Sequence, residues 1–244
     1  MAPTGRPRDG RLPRLPLLLL LVAVLVATPP LVLVGLRAGE GEEPLAIVQE
    51  QQGPFRGGVL PPELTGSPAP TFRHVDARTG KPLGTRDLAG RPYAVTFLYT
   101  DCPDVCPLIG QELKQALQAL GPRADEVAVV AVSADPEGDT RGAVTRWLET
   151  QDLPVNFHYL IGSEEELRPT WDAYFAAPQA PGEAESTHSA SIWLVDAGGR
   201  LRTKFSAGVP VAPEDIAHDL ELLLDDAERR TASGGTPDGP PPEG

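Results

Sequence analysis

The chain holds two cysteines in all, four residues apart in Thr100-Asp101-Cys102-Pro103-Asp104-Val105-Cys106-Pro107. A pair so spaced can close as a disulfide, exchange disulfides with other thiols, or offer two soft donors to a metal ion. A third soft-metal candidate, His188, lies far along the chain, just ahead of an apolar run. A structural disulfide across so short a loop would remove little chain entropy. Catalytic dithiol exchange commonly places two residues between its cysteines, where this chain has three. Two thiolates with one imidazole suit copper, cuprous or cupric, better than magnesium or calcium, and structural zinc would want a fourth ligand. The other histidines, His74, His158 and His218, read as surface or core-edge residues.

These residues need elements to position them. The cysteines follow an apolar strand, Tyr93 to Tyr99, and lead into a helix expected from Leu108 to Leu120, stopped by Gly121-Pro122. The start of a helix carries free amide donors and a partial positive charge, both of which stabilise a thiolate. Asp104 can cap that helix, and Pro107 is tolerated in its first turn. Residues four apart share a helical face, so Cys102 and Cys106 converge. Further strands are expected at Phe72–Val75, Glu126–Ser133 and Phe157–Ile161, with a hairpin of Ser191–Val195 and Leu201–Phe205 around Asp196-Ala197-Gly198-Gly199. Helices are expected at Thr140–Thr150, at Ser163–Phe175 with Ser163 and Glu166 spaced as a capping box, and at Pro213–Leu224.

This order describes an α/β fold, a mixed central sheet flanked by helices. A cysteine pair after the first long strand and a late hairpin before the last helix single out a thioredoxin-like arrangement. In that layout the loop before Ser191–Val195 faces the cysteine loop, which lifts His188 above the other histidines. Asp135-Pro136 and Asp139 are read as shaping a turn and capping the helix from Thr140, with Asp135 also a candidate for supporting the site. Trp147, Trp171 and Trp193 are assigned to packing.

With 244 residues and a 41% hydrophobic content, the chain suits one domain with extensions. Arg6, Arg8, Arg11 and Arg14 precede an apolar run from Leu15 to Leu36, so residues 1–37 are expected to be a membrane anchor or signal segment. Positive charge stays inside, which puts everything after Arg37 on the extracytoplasmic side, or in the medium if the segment is cleaved. A flexible linker is expected over 38–70, the folded domain over 71–230 and a disordered tail over 231–244. Net charge is −13, and residues 1–37 carry +4, so the remainder holds −17. Such a surface repels phosphate backbones and argues against nucleic acid as a partner.

The stretch 100–107 resembles the signature of the SCO/SenC family of copper-delivery proteins, as do Ser133-Ala134-Asp135-Pro136-Glu137-Gly138-Asp139-Thr140 and His188-Ser189-Ala190 before Ile192-Trp193-Leu194-Val195-Asp196. The resemblance spans about Phe72 to Leu224. It implies a membrane-anchored thioredoxin-like domain that holds copper, Cu(I) or Cu(II), on Cys102, Cys106 and His188. It further implies a metallochaperone more than an enzyme, assembling the dinuclear copper site of cytochrome c oxidase subunit II by delivering copper, reducing cysteines, or both. The rival reading is a membrane-tethered thiol-disulfide oxidoreductase using Cys102 and Cys106 as its redox pair. Oxidoreductases of this fold resemble one another in a proline directly before the facing strand, where this chain has Thr187-His188-Ser189-Ala190. Two departures from the family stand out: residues 96–99 lack a glycine, and Asp101 puts an extra carboxylate beside Cys102, expected to raise its thiol pKa or to weaken cuprous binding modestly. Transfer to a partner is expected to need a shallow, open site.

Overall fold

The computed structural model describes residues 53–179, 191–206 and 211–233. The expected membrane segment, the first part of the expected linker, His188 and the tail from residue 234 lie outside the described residues. No described helix is long and apolar enough to cross a membrane. The elements run β1 (Arg73–Asp76), β2 (Pro82–Gly84), β3 (Tyr93–Leu98), α1 (Val105–Leu120), β4 (Ala128–Ser133), α2 (Arg141–Thr150), β5 (Phe157–Ile161), α3 (Glu164–Ala173), β6 (Ser191–Val195), β7 (Leu201–Ser206) and α4 (Pro213–Ala232). Among the described residues the strands form one sheet in the order β2-β1-β5-β4-β3-β6-β7. Its centre, β3, β4 and β5, is parallel, while β1, β2, β6 and β7 join antiparallel.

β3 and β4 are buried at every position, because layers cover both faces of the sheet, and such strands read as unbroken apolar runs. Side chains alternate between the layers. Ala94 and Leu98 join Leu113 and Leu117 of α1, Val144 and Leu148 of α2, and Leu220 of α4. Tyr93, Val95 and Phe97 turn the other way, onto Leu167 and Trp171 of α3 and onto Leu60, Ala69 and Phe72. α3 carries an internal proline, Pro169, which costs about 3 kcal/mol in a helix interior. The Ser163–Glu166 capping box and the burial of Leu167 and Trp171 offset that cost.

Two expectations need correction, and one strand was not foreseen. The described part of the supposed linker, 53–70, lies against the domain: Gly58 bridges Lys204, Pro68 bridges Arg200, and Leu60 and Ala69 are buried. Its glycine content reflects close approach, since a Cβ on Gly57 would meet Thr203 Oγ1 at 2.3 Å. The stretch thereby covers the outer edge of β7. α4 runs to Ala232, into the expected tail, with Arg229 and Arg230 in the last turn complementing the helix dipole. β2 had no sequence signal, because Pro82 and Gly84 are tolerated in a strand only at a sheet edge, where this one sits.

Candidate metal and thiol site

α1 begins at Val105, three residues ahead of the expected start. Asp104 is its N-cap, accepting the Val105 amide at 2.6 Å, and Pro107 falls where no intrahelical amide bond is lost. Cys106 therefore sits inside the first turn and Cys102 in the loop before it. The Cys106 amide, one of the donors a helix start leaves without a helical partner, points at Cys102 Sγ, 3.3 Å away.

That sulfur collects several donors. The Cys106 thiol, the backbone amides of Cys106 and Asp104, and the Tyr99 hydroxyl together hold the Cys102 thiol pKa at about 5, against the upward push of burial. The expectation that Asp101 would raise this pKa is overturned in direction, because Asp101 is exposed and the donors dominate. Cys106 moves the other way: its thiol donates to Cys102 and is fully buried, and both effects push its pKa up. At neutral pH the pair is thus one thiolate and one thiol sharing a proton. Burial and the neighbouring Cys102 sulfur raise the Tyr99 hydroxyl above the usual phenol range.

The pair is also more covered than expected. Cys102 is 6% exposed and Cys106 is closed off, packed with Ile109 and Leu113 in the main core, where a shallow open site was expected. An incoming sulfur or metal ion meets Cys102 first.

Beneath the loop lies a residue whose role sequence reasoning missed. Thr140, not Asp139, caps α2, its hydroxyl accepting the Ala143 amide at 3.2 Å. Asp135 shapes the turn, accepting the Gly138 amide at 3.1 Å. Asp139 is turned inward, 2% exposed, with its carboxyl pKa raised chiefly by burial. It accepts the Thr100 amide at 2.8 Å, the Ser133 hydroxyl at 2.7 Å and the Tyr159 hydroxyl at 2.9 Å. The available sequence signal was that Thr140 suffices as a cap, which left Asp139 without a task.

The remaining histidines have structural partners: His74 Nε2 with Thr170 Oγ1 at 2.8 Å, His158 Nδ1 with Asp76 Oδ2 at 3.3 Å, and His218 Nδ1 with Asp219 Oδ1 at 3.0 Å. Burial lowers the pKa of His74. His188 lies outside the described residues, but the chain on either side of it is described. Gln179 donates its amide to the Ala134 carbonyl at 2.8 Å, and the Ala134 amide in turn bonds the Leu98 carbonyl. Ser191 opens β6, which runs antiparallel to β3. Both flanks therefore lie at the end of β3 from which the cysteine loop departs. Among the described residues no cluster of three His, Cys, Asp or Glu groups is placed to hold a metal ion.

The pattern of the SCO1/SenC family matches residues 64–225. Protein SenC of Rhodobacter capsulatus is 30% identical over 153 residues, covering 61% of this chain and 67% of that protein. The structure of Bradyrhizobium japonicum ScoI with copper bound superposes with a TM-score of 0.55 at 31% identity, over 65% of this chain and 100% of that one. Apo Sco1 from Thermus thermophilus gives a TM-score of 0.58 at 28% identity, over 71% of this chain and 99% of that one. These likenesses bear out the thioredoxin-like arrangement with its mixed sheet and flanking helices.

Proposed function

The chain belongs to the SCO1/SenC family, and on that premise we propose that it carries copper on Cys102 Sγ, Cys106 Sγ and a ring nitrogen of His188. It hands the ion to an acceptor outside the membrane, the dinuclear copper site of cytochrome c oxidase subunit II during assembly. The observation that carries this reading is the pairing of the two sulfurs: the Cys106 amide and thiol both address Cys102 Sγ, so two soft donors share one helix turn. The bound copper of Bradyrhizobium japonicum ScoI, and the position of both flanks of the His188 segment beside the cysteine loop, support it. The basic flank and apolar run of residues 1–37 support an anchored domain on the extracytoplasmic side.

Copper is cargo here, so its hold must be firm and its release quick. Cys102 is already a thiolate at neutral pH and offers the first bond. The Cys106 proton leaves as the second sulfur binds, so uptake of cuprous ion at neutral pH releases one proton from the pair, not two. An acceptor thiolate entering beside Cys102 would replace these bonds one at a time. Oxidation of the pair to a disulfide removes both sulfur ligands together and closes the cycle to copper.

A titration of the reduced full chain with Cu(I), read by metal analysis and absorption against the oxidised protein, tests this. One equivalent bound only after reduction is expected, and no uptake by the reduced chain overturns the reading. The low thiol pKa of Cys102 also favours a second reading, thiol-disulfide exchange with acceptor cysteines. A disulfide potential within reach of cellular thiol partners, found together with no copper uptake, would select that reading instead.

A further inference from the structure

A carboxylate buried without a cation is costly, and Asp139 is one: 2% exposed, held by the Thr100 amide and hydroxyl and by the Ser133 and Tyr159 hydroxyls, with no described lysine, arginine or histidine paired to it. Its donors come from three places that meet under the cysteine loop, namely Thr100 after β3, Ser133 at the end of β4, and Tyr159 in β5. The Thr100 bond matters most. The Thr100 N–H and the Tyr99 C=O belong to one planar trans peptide unit and point in opposite directions. With the N–H held by Asp139 Oδ1, the carbonyl is turned the other way, where it accepts the Cys102 amide at 3.4 Å. The Tyr99 amide, part of the preceding Leu98–Tyr99 peptide, donates to the Cys106 sulfur, and the Tyr99 hydroxyl donates to Cys102. The clamped peptide plane therefore touches Cys102, and Tyr99, whose carbonyl lies in it, contacts both cysteines.

We propose that Asp139 is a positioning residue for the dithiol: by holding the Thr100 amide it sets the Tyr99–Thr100 peptide plane, and with it Tyr99, whose carbonyl, amide and hydroxyl contact the two cysteines and fix the separation and orientation of their sulfurs. Ser133 and Tyr159 hold the other carboxylate oxygen and keep Asp139 itself in place. The positioning role is geometric and needs an oxygen acceptor at this spot; the carboxylate charge adds a separate, lesser upward push on the Cys106 thiol pKa. Asparagine meets that need. Its carbonyl oxygen accepts the Thr100 amide while its NH2 donates to the two hydroxyls.

The inference rests on the reading that Cys102 and Cys106 are the working groups, so the test uses a readout independent of copper as well as one that needs it. In the full chain, Asp139→Ala, Asp139→Asn, Ser133→Ala and Tyr159→Phe are compared. The measurements are the thiol-disulfide equilibrium against glutathione, the Cu(I) affinity by chelator competition, and Tm. Asp139→Ala is expected to shift the disulfide equilibrium about tenfold, near 30 mV, and to weaken Cu(I) binding about 10–100-fold. Asp139→Asn should restore both to within about threefold. Ser133→Ala and Tyr159→Phe, which each remove one of the bonds that steady Asp139, should lower Tm and shift both sulfur readouts by clearly less than Asp139→Ala.

A folded Asp139→Ala with unchanged equilibrium and affinity overturns the proposal. So does Asp139→Asn behaving like Asp139→Ala, which would make charge the cause, or equal sulfur shifts in all four variants, which would make it general loosening. If Asp139→Ala fails to fold, hydrogen exchange at Thr100 in the wild-type chain decides: a protected amide supports the clamp, and exchange as fast as an exposed loop amide refutes it. A wild-type chain that takes no Cu(I) would sink the copper reading, while the glutathione equilibrium would still report on Asp139.

Discussion

Asp139 and Asp219 are both buried carboxylates, at 2% and 0% exposure, and each gathers backbone amides from a distant segment. Asp219 in α4 receives the Arg56 and Gly57 amides, both at 2.8 Å, and His218 lies beside it at 3.0 Å. An exposed Arg56–Asp215 pair adds to the same join. Asp139 receives one amide and three hydroxyls, with no described cation paired to it. The first fastens the N-terminal stretch to the domain; the second fastens the loop that carries the cysteines. The bond type is the same and the consequence differs, because only Asp139 lies one peptide plane away from a reactive atom. A buried acid is thus a general fastening device, and what it fastens decides whether it matters for stability or for chemistry.

The strongest way to separate the two regions is to remove the sulfurs. Cys102→Ser with Cys106→Ser should abolish stoichiometric copper in metal analysis while far-UV dichroism stays native; one equivalent retained would defeat the metal reading. Asp219→Ala makes the opposite cut. It strands two amides, a loss of roughly 2–4 kcal/mol, and should lower Tm by roughly 10 °C with Cu(I) stoichiometry unchanged. A copper defect in that variant would show that the two fastenings are not independent.

His188→Ala tests the third donor, on the cysteine side alone. The protein should fold with weakened copper binding, most of all for Cu(II), and unchanged affinity and absorption spectrum would remove His188 from the site.

The asymmetry of the thiols gives a pH test. A depressed thiol pKa means that the reactive thiolate forms early as pH rises. Iodoacetamide should therefore modify Cys102 at a rate that climbs through about pH 5 and levels off, with Cys106 slow throughout the neutral range. Mass spectrometry of each site checks this, and a midpoint for Cys102 in the ordinary thiol range would contradict the donor geometry.

The smallest effect extends the comparison to a third buried acid. Glu112 of α1 accepts the Val211 amide at 3.1 Å, and burial raises its pKa. A raised acid favours the protonated form in the fold, so its contribution is fully present below the unfolded value and is lost as pH rises through the folded one. Glu112→Gln keeps an acceptor without the charge. It should melt a few degrees higher than wild type at pH 7, and the gap should close toward pH 4; an unchanged gap across that range would refute the linkage.

Much of this molecule was legible in the chain itself. The apolar runs Tyr93–Tyr99 and Glu126–Ser133 declared buried strands, and Ser163 and Glu166 declared a helix start. Such signals are local: periodicity, caps and spacing act over a few residues, and folding does not change their sense. Other features depended on partners far away in sequence. The glycines of 53–70 look like slack until β7 lies against them, and Pro82–Gly84 carries no strand signal until β1 pairs with it.

The same division runs through the site. Spacing alone sufficed to bring Cys102 and Cys106 to one helix turn, because a helix start dictates that neighbourhood within five residues. The sequence also sufficed to name the family by its three motifs. Which of the two thiols is ionised, how deeply both are covered, and that Asp139 points inward to grip Thr100 were settled only by tertiary packing. Burial, donor count and the meeting of β3, β4 and β5 at one end of the sheet are long-range quantities, and a carboxylate's role follows from the groups folding sets around it.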